Sequence, residues 1–132
     1  MIYLDKNGIT IKASKEAVIG KEYELNGKKY KVVDEEMLRE MVKNDEEVTK
    51  VVTSRITNMS DMFMGASSFN QNIGNWDISN ITNIYQMFCY ARSFNQDIGS
   101  WDVSNLTSMS LLFCGAESFN QDIGDWDLSK VD

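Results

Sequence analysis

Histidine is absent from these 132 residues, and with it go the commonest general base and the commonest metal ligand. Cysteine occurs only at Cys89 and Cys114, so a cysteine nucleophile would have no imidazole to activate it. No apolar run approaches the roughly 18 residues of a membrane-spanning helix. The opening MIYLDKNGITIKASKEAVIG lacks the basic start and unbroken apolar segment of a secretory signal. As written the chain carries no signal or anchor, which leaves the cytoplasm open as its location. Positive charge is scarce in one part of the chain. Residues 1–55 set eleven basic against eleven acidic side chains, whereas residues 56–132 set Arg92 and Lys130 against nine carboxylates, so the net charge of −7 lies on the second part. An acidic surface repels phosphate backbones and argues against nucleic acid as a partner. Its plain reading is solvation; its sharper reading is attraction of cations or of a basic protein.

What the chain does have is a period of 25 residues. Residues 56–80, 81–105 and 106–130 align without gaps and end in QNIGNWDISN, QDIGSWDVSN and QDIGDWDLSK. Phenylalanine recurs at 63, 88 and 113 and again at 69, 94 and 119, and tryptophan at 76, 101 and 126, so every Phe and Trp belongs to the repeat. Columns of aromatics at fixed phase read as packing, each ring burying about 150–250 Å². Periods of this length signal stacked repeat units. Asn70, Asn95 and Asn120, with Asn80 and Asn105, read as amides that satisfy turn backbones and bond between coils. The sequons at Asn58, Asn80 and Asn105 arise by repetition of the same turns.

Ile98, Trp101, Val103 and Leu106 have the spacing of a leucine-rich-repeat coil, whose central Trp-Asp-Val would be a short strand. Three such strands side by side would make a parallel sheet with about 4.8 Å between rungs. In NMSDMFMGA, NIYQMFCYA and SMSLLFCGA the apolar residues fall at offsets 0, 3, 4 and 7, as at Ile84, Met87, Phe88 and Ala91, which predicts a short helix or 3₁₀ segment. The expected fold class is therefore an α/β repeat solenoid, a short leucine-rich-repeat-like coil array with a parallel sheet, capped by an N-terminal hairpin and helix. Residues 1–47 would be the cap. Asn26-Gly27 between alternating runs over 21–25 and 28–33 signals a hairpin. Asp34, followed by Glu35 and Glu36 and the apolar stripe Met37, Leu38, Met41 and Val42, signals a helix closed by Asn44. The array would span residues 48–132, with a degenerate rung at 48–55 in which Val48 matches Ile73, Val51 matches Trp76 and Thr53 matches Ile78.

If Trp and its apolar partner face inward, three outward columns form the expected ligand face: Asn75, Ser100 and Asp125; Asp77, Asp102 and Asp127; Ser79, Ser104 and Ser129. Exposed faces of stacked repeats are usual binding surfaces, and hydroxyl and carboxylate columns suit basic side chains or sugars. A weaker reading gives Asp77, Asp102 and Asp127 to Ca²⁺, which takes oxygen ligands; a third leaves these aspartates to the fold alone. No capping sequence follows the last repeat, so Leu112, Phe113, Phe119, Trp126 and Leu128 are expected along its edge, with Leu111 adding apolar burial there. Either the chain is part of a longer protein or two such ends pair as a homodimer. Cys89 and Cys114 share a phase one period apart, within reach of a disulfide that would add roughly 3 kcal/mol. Two buried thiols are the other reading, favoured by Met64 at the same phase of the first copy.

The unit NxTxMxxMFxxAxSFNQDIGxWDVSN, as in ITNIYQMFCYARSFNQDIGSWDVSN, resembles the repeat of the BspA-like leucine-rich-repeat surface proteins, the 25-residue mycoplasma-type class. The likeness covers residues 52–132. It implies a secreted or cell-surface protein engaged in adhesion or host contact, with a protein partner, no cofactor and no catalytic residues to carry over. The expected function is a non-enzymatic interaction or adhesion module. Self-assembly through the last coil and a Ca²⁺-stabilised repeat are its alternatives.

Overall fold

A computed structural model describes residues 1–132. Its strands all lie in the first 52 residues. β1 (Ile2–Leu4) and β2 (Ile11–Ala13) form an antiparallel hairpin with Leu4 opposite Ile11. The turn between them is held by Asn7, whose Oδ1 accepts the N–H groups of Ile9 and Thr10 at 2.9 and 3.0 Å, and by Gly8 at φ +77°. β3 (Glu22–Leu25) and β4 (Lys28–Val32) form a second hairpin over Asn26-Gly27, both with positive φ, as a two-residue hairpin turn requires. Alternation along β4 turns Tyr30 and Val32 inward. α1 (Glu35–Lys43) starts where Asp34 accepts the Met37 N–H at 2.9 Å and ends at Asn44. Its Leu38 is buried, and Met37, Met41 and Val42 pack against the main core. β5 (Val51–Val52) then returns parallel to β4, giving the order β3-β4-β5. No helix is long and apolar enough to cross a membrane.

The expected solenoid does not form. Trp76-Asp77-Ile78, Trp101-Asp102-Val103 and Trp126-Asp127-Leu128 carry no strand, and the repeats are bridged only by single parallel pairs, Asn58 with Asn83 and Asn83 with Ser108. Nor is there a helix in any repeat; α1 is the only one in the chain. The reason lies in where the backbone donors go. A helix needs each N–H to bond four residues back, but Met59, Asp61, Phe63 and Gly65 donate instead to the carbonyls of Asn83, Tyr85, Met87 and Cys89 in the next repeat. Ile84, Gln86, Phe88 and Tyr90 repeat the pattern onto the third. The geometry needs left-handed residues at Asp61, Gln86 and Leu111, then at Gly65, Tyr90 and Gly115, and such residues end a helix. Nine-residue segments are also too short to repay helix nucleation unaided.

Three turn-built layers result, one per repeat, joined by those alternate backbone bonds, by rings and by side-chain amides, without a regular sheet. Phe63, Phe88 and Phe113 stack with centroids 5.6 and 5.7 Å apart, and Phe69, Phe94 and Phe119 at 5.8 and 5.9 Å. Each indole N–H reaches back one layer: Trp76 to Val48 O, Trp101 to Ile73 O and Trp126 to Ile98 O, all at 3.0 to 3.1 Å. Val48 stands where Ile73 and Ile98 stand in later layers. The amides follow the same rule. Asn95 and Asn120 N–H donate to the Oδ1 of Asn70 and Asn95, and Asn80 and Asn105 donate to the carbonyls of Ser54 and Ser79. One apolar core runs from Val33 and Leu38 through the aromatic columns to Trp126, and a smaller one lies under the first hairpin. The cysteines close the stack further: Cys89 and Cys114 are joined in a disulfide between the second and third layers, with Cα atoms 4.6 Å apart, rather than left as two thiols.

Candidate functional site

With no sheet in the repeats, the nine residues expected on one strand face sit instead on turns, and the first layer's share is covered. Ile11 of β2 donates its N–H to Asn75 O at 3.0 Å, and Asn75 Oδ1 is buried without a hydrogen-bond partner. Asp77 is only 3 % exposed. Its Oδ1 accepts the N–H and hydroxyl of Ser79, and its Oδ2 accepts the Ser54 hydroxyl at 2.7 Å, whose oxygen takes the Ala13 N–H in turn. The β1-β2 hairpin is thus fastened over the first Asp and removes it from any ligand surface. Ser79, Ser100 and Ser104 are half-buried.

The same side chains one and two layers on are open to water. Asp102 and Asp127 are exposed, as are Asp125 and Ser129. Asp102 Oδ1 accepts the N–H and hydroxyl of Ser104 at 3.1 and 2.6 Å, and Asp127 Oδ1 accepts the Ser129 N–H at 3.1 Å. Hydrogen bonds from the Ser129 hydroxyl and N–H, with the nearby Lys130 charge, hold the Asp127 carboxyl below the usual carboxylate range. One oxygen of each aspartate is therefore occupied by a turn, and the Asp77, Asp102, Asp127 column does not gather into a calcium cage. No three carboxylates or thiols stand close enough to share an ion.

Two more exposed aspartates of the second and third layers lie outside the expected columns. Asp97 and Asp122 accept the N–H groups of Gly99 and Gly124 at 2.9 and 2.8 Å, each closing the turn before its Trp. The signal for them was the Asp-Ile-Gly of the repeat, two residues upstream of a glycine, where a carboxylate caps a tight turn. With Asp102, Asp125 and Asp127 they leave five exposed aspartates on the second and third layers.

The expected apolar edge is only partly open. Leu112 and Trp126 are buried, and Phe113 and Phe119 are half-buried and stacked on each other at 4.1 Å. Leu111, in a left-handed backbone at φ +57°, is 53 % exposed, and Leu128 is 40 % exposed.

Comparison with known proteins finds a family described as "Mycoplasma protein of unknown function, DUF285", whose profile matches residues 34–132. The match takes in α1, β5 and all three layers. No curated protein and no solved structure matches the chain. Since the match covers 99 of the 132 residues, from 34 to 132, the chain belongs to the DUF285 family.

Proposed function

We propose that this protein is a non-enzymatic interaction module whose second and third layers present exposed aspartates to a basic protein partner. One observation carries the reading: of the nine carboxylates in residues 56–132, only Glu117 is in an ion pair, with Arg92 at 3.0 Å. Unpaired charges of one sign speed encounter with the opposite sign and select against like-charged partners. The cysteine pair is bridged and holds no free nucleophile, which supports the non-enzymatic half of the reading. The repeat's resemblance to the BspA-like surface proteins supports a secreted or surface-held protein that adheres to a host component, and a disulfide is stable in such oxidising surroundings.

Binding of fluorescently labelled protein to cultured epithelial cells tests this. Saturable binding is expected that weakens as salt is raised to about 0.5 M, where charges are screened beyond roughly 4 Å. It is also expected to fall several-fold in Asp125→Lys, a side chain that makes no hydrogen bond of its own. Uptake that neither saturates nor responds to salt or to the substitution counts against the proposal. A second reading, self-association through the third layer, draws on the exposure of Leu111 and Leu128. It predicts a light-scattering mass that rises with protein concentration.

A further inference from the structure

The Phe69 column has a beginning. Phe94 is covered on one side by Phe69 at 5.8 Å and on the other by Phe119 at 5.9 Å, but Phe69 has no ring before it. One period upstream stands Asn44, the cap of α1. The backbone shows the same gap. Asn95 and Asn120 donate their N–H groups backward to the Asn 25 residues earlier, whereas the Asn70 N–H, with Asp45 in place of an asparagine 25 residues earlier, makes no hydrogen bond. In the other Phe column the first ring, Phe63, is 1 % exposed, while Phe69 stays half-open.

Behind Phe69 lies a groove of about 360 Å³ between the end of α1 and the first layer, walled by the half-buried Val42 and Ala66 with Val48 buried beneath them. That is the lower end of the size of ligand sites. Asp45 and Glu46 stand on its rim, exposed and without ion pairs. The rim is fixed: the N–H groups of Asp45 and Glu46 bond Val42 O and Met41 O, and Gln71 donates to Glu46 O at 3.1 Å.

We propose that this groove docks an aromatic side chain of a partner polypeptide, with a lysine or arginine beside it in sequence facing Asp45 and Glu46. The incoming ring takes the place of the missing member of the column, near-parallel to Phe69 and slipped along it at the 5.8–5.9 Å the other rings keep, while Phe63 stays stacked on Phe69 at 4.0 Å. Its backbone carbonyl accepts the Asn70 N–H, as the Asn70 amide oxygen does for Asn95. Charge complementarity selects the basic neighbour. The outer face of Phe119 is the other uncovered end of the column, but no helix walls it on the far side. The site uses none of the aspartates of the proposed interaction surface, so its failure leaves that reading where it stands.

The test is titration of ¹⁵N-labelled protein with the peptide Ac-Phe-Arg-NH₂, followed by two-dimensional NMR, with Ac-Leu-Arg-NH₂ and Ac-Phe-Glu-NH₂ as comparators. The largest shift is expected at the Asn70 amide, with neighbouring shifts at Ser68 and Phe69, and binding about fivefold or more tighter than for either comparator. Asp45→Asn with Glu46→Gln is expected to remove most of that preference for arginine while leaving the rest of the spectrum in place, since asparagine tolerates the left-handed backbone at residue 45. Equal response to all three peptides, largest shifts around Asn120, or no shift at about 10 mM peptide would each overturn the proposal.

Discussion

Gly74 and Gly99 show how closely the layers approach. A Cβ on Gly74 would lie 2.6 Å from Asp97 O, and one on Gly99 2.8 Å from Asp122 O, both backbone atoms of the following layer. Gly124 has the same local sequence, yet its nearest neighbour would be the Asp122 side chain of its own turn at 3.0 Å. Gly74→Ala and Gly99→Ala are therefore expected to cost about 1–3 kcal/mol each, the usual range for overpacking, and Gly124→Ala less than about 1. Urea denaturation measures all three; an equal loss at Gly124 would place the requirement in the turn itself rather than between layers. Asp127 offers a second residue-scale test. Its carboxyl is held low in the folded state, first by the Ser129 hydroxyl, then by the Ser129 N–H and Lys130. A folded pKa below the unfolded one gives stability that is present above the unfolded pKa and lost as pH falls through the folded value. Carboxyl ¹³C titration should put Asp127 below an unstructured aspartate, and Ser129→Ala should raise its midpoint.

At the scale of elements, side chains and alternate backbone bonds together do the joining that a regular sheet would otherwise do. The third layer is held by two ring columns, by the Trp126 indole on Ile98 O, by the Cys89–Cys114 bridge and by the backbone bonds from Ile84, Gln86, Phe88 and Tyr90. The bridge closes a loop of 25 residues, for which chain entropy predicts roughly 3 kcal/mol. Reductant is expected to lower the melting midpoint. Hydrogen exchange should then show residues 106–132 opening before the rest, since local stability is set by the contacts each unit keeps. A midpoint indifferent to reductant would mean that the bridge adds nothing to the ring columns and hydrogen bonds that dock the third layer. The left-handed turns matter here too, because they send alternate N–H groups across to the next layer.

The whole molecule is divided by charge: residues 1–55 are neutral and residues 56–132 carry the net −7. The four ion pairs are partly or largely exposed and contribute little. Repulsion within the layers is the larger effect, and it is screened by salt. Raising NaCl from about 20 mM to about 0.5 M is therefore expected to raise the melting midpoint. A fall would show that the ion pairs outweigh the repulsion.

The second hairpin and the helix were legible because their signals are local: Asn26-Gly27 makes its turn from its own backbone, and Asp34 caps the helix with its own side chain. The first hairpin turns through a six-residue loop held by the Asn7 side chain, a weaker local signal than a two-residue Asn-Gly turn. The 25-residue period, the ring columns and the backward-reaching amides were legible too, since repetition alone puts like on like. Spacing could not decide what backbone fills the period. Apolar residues at offsets 0, 3, 4 and 7 turn inward equally on a helix and on the turns that form, and only the destination of each N–H separates the two. Nor could it separate Asp77 from Asp102 and Asp127, which share the Trp-Asp motif and the serine two residues on. A hairpin more than sixty residues upstream buries the first and leaves the others in water. Local chemistry was determined by the sequence itself; access to solvent, and so the choice of which repeats present a surface, was decided by tertiary structure, because burial depends on what packs above a residue rather than on what precedes it.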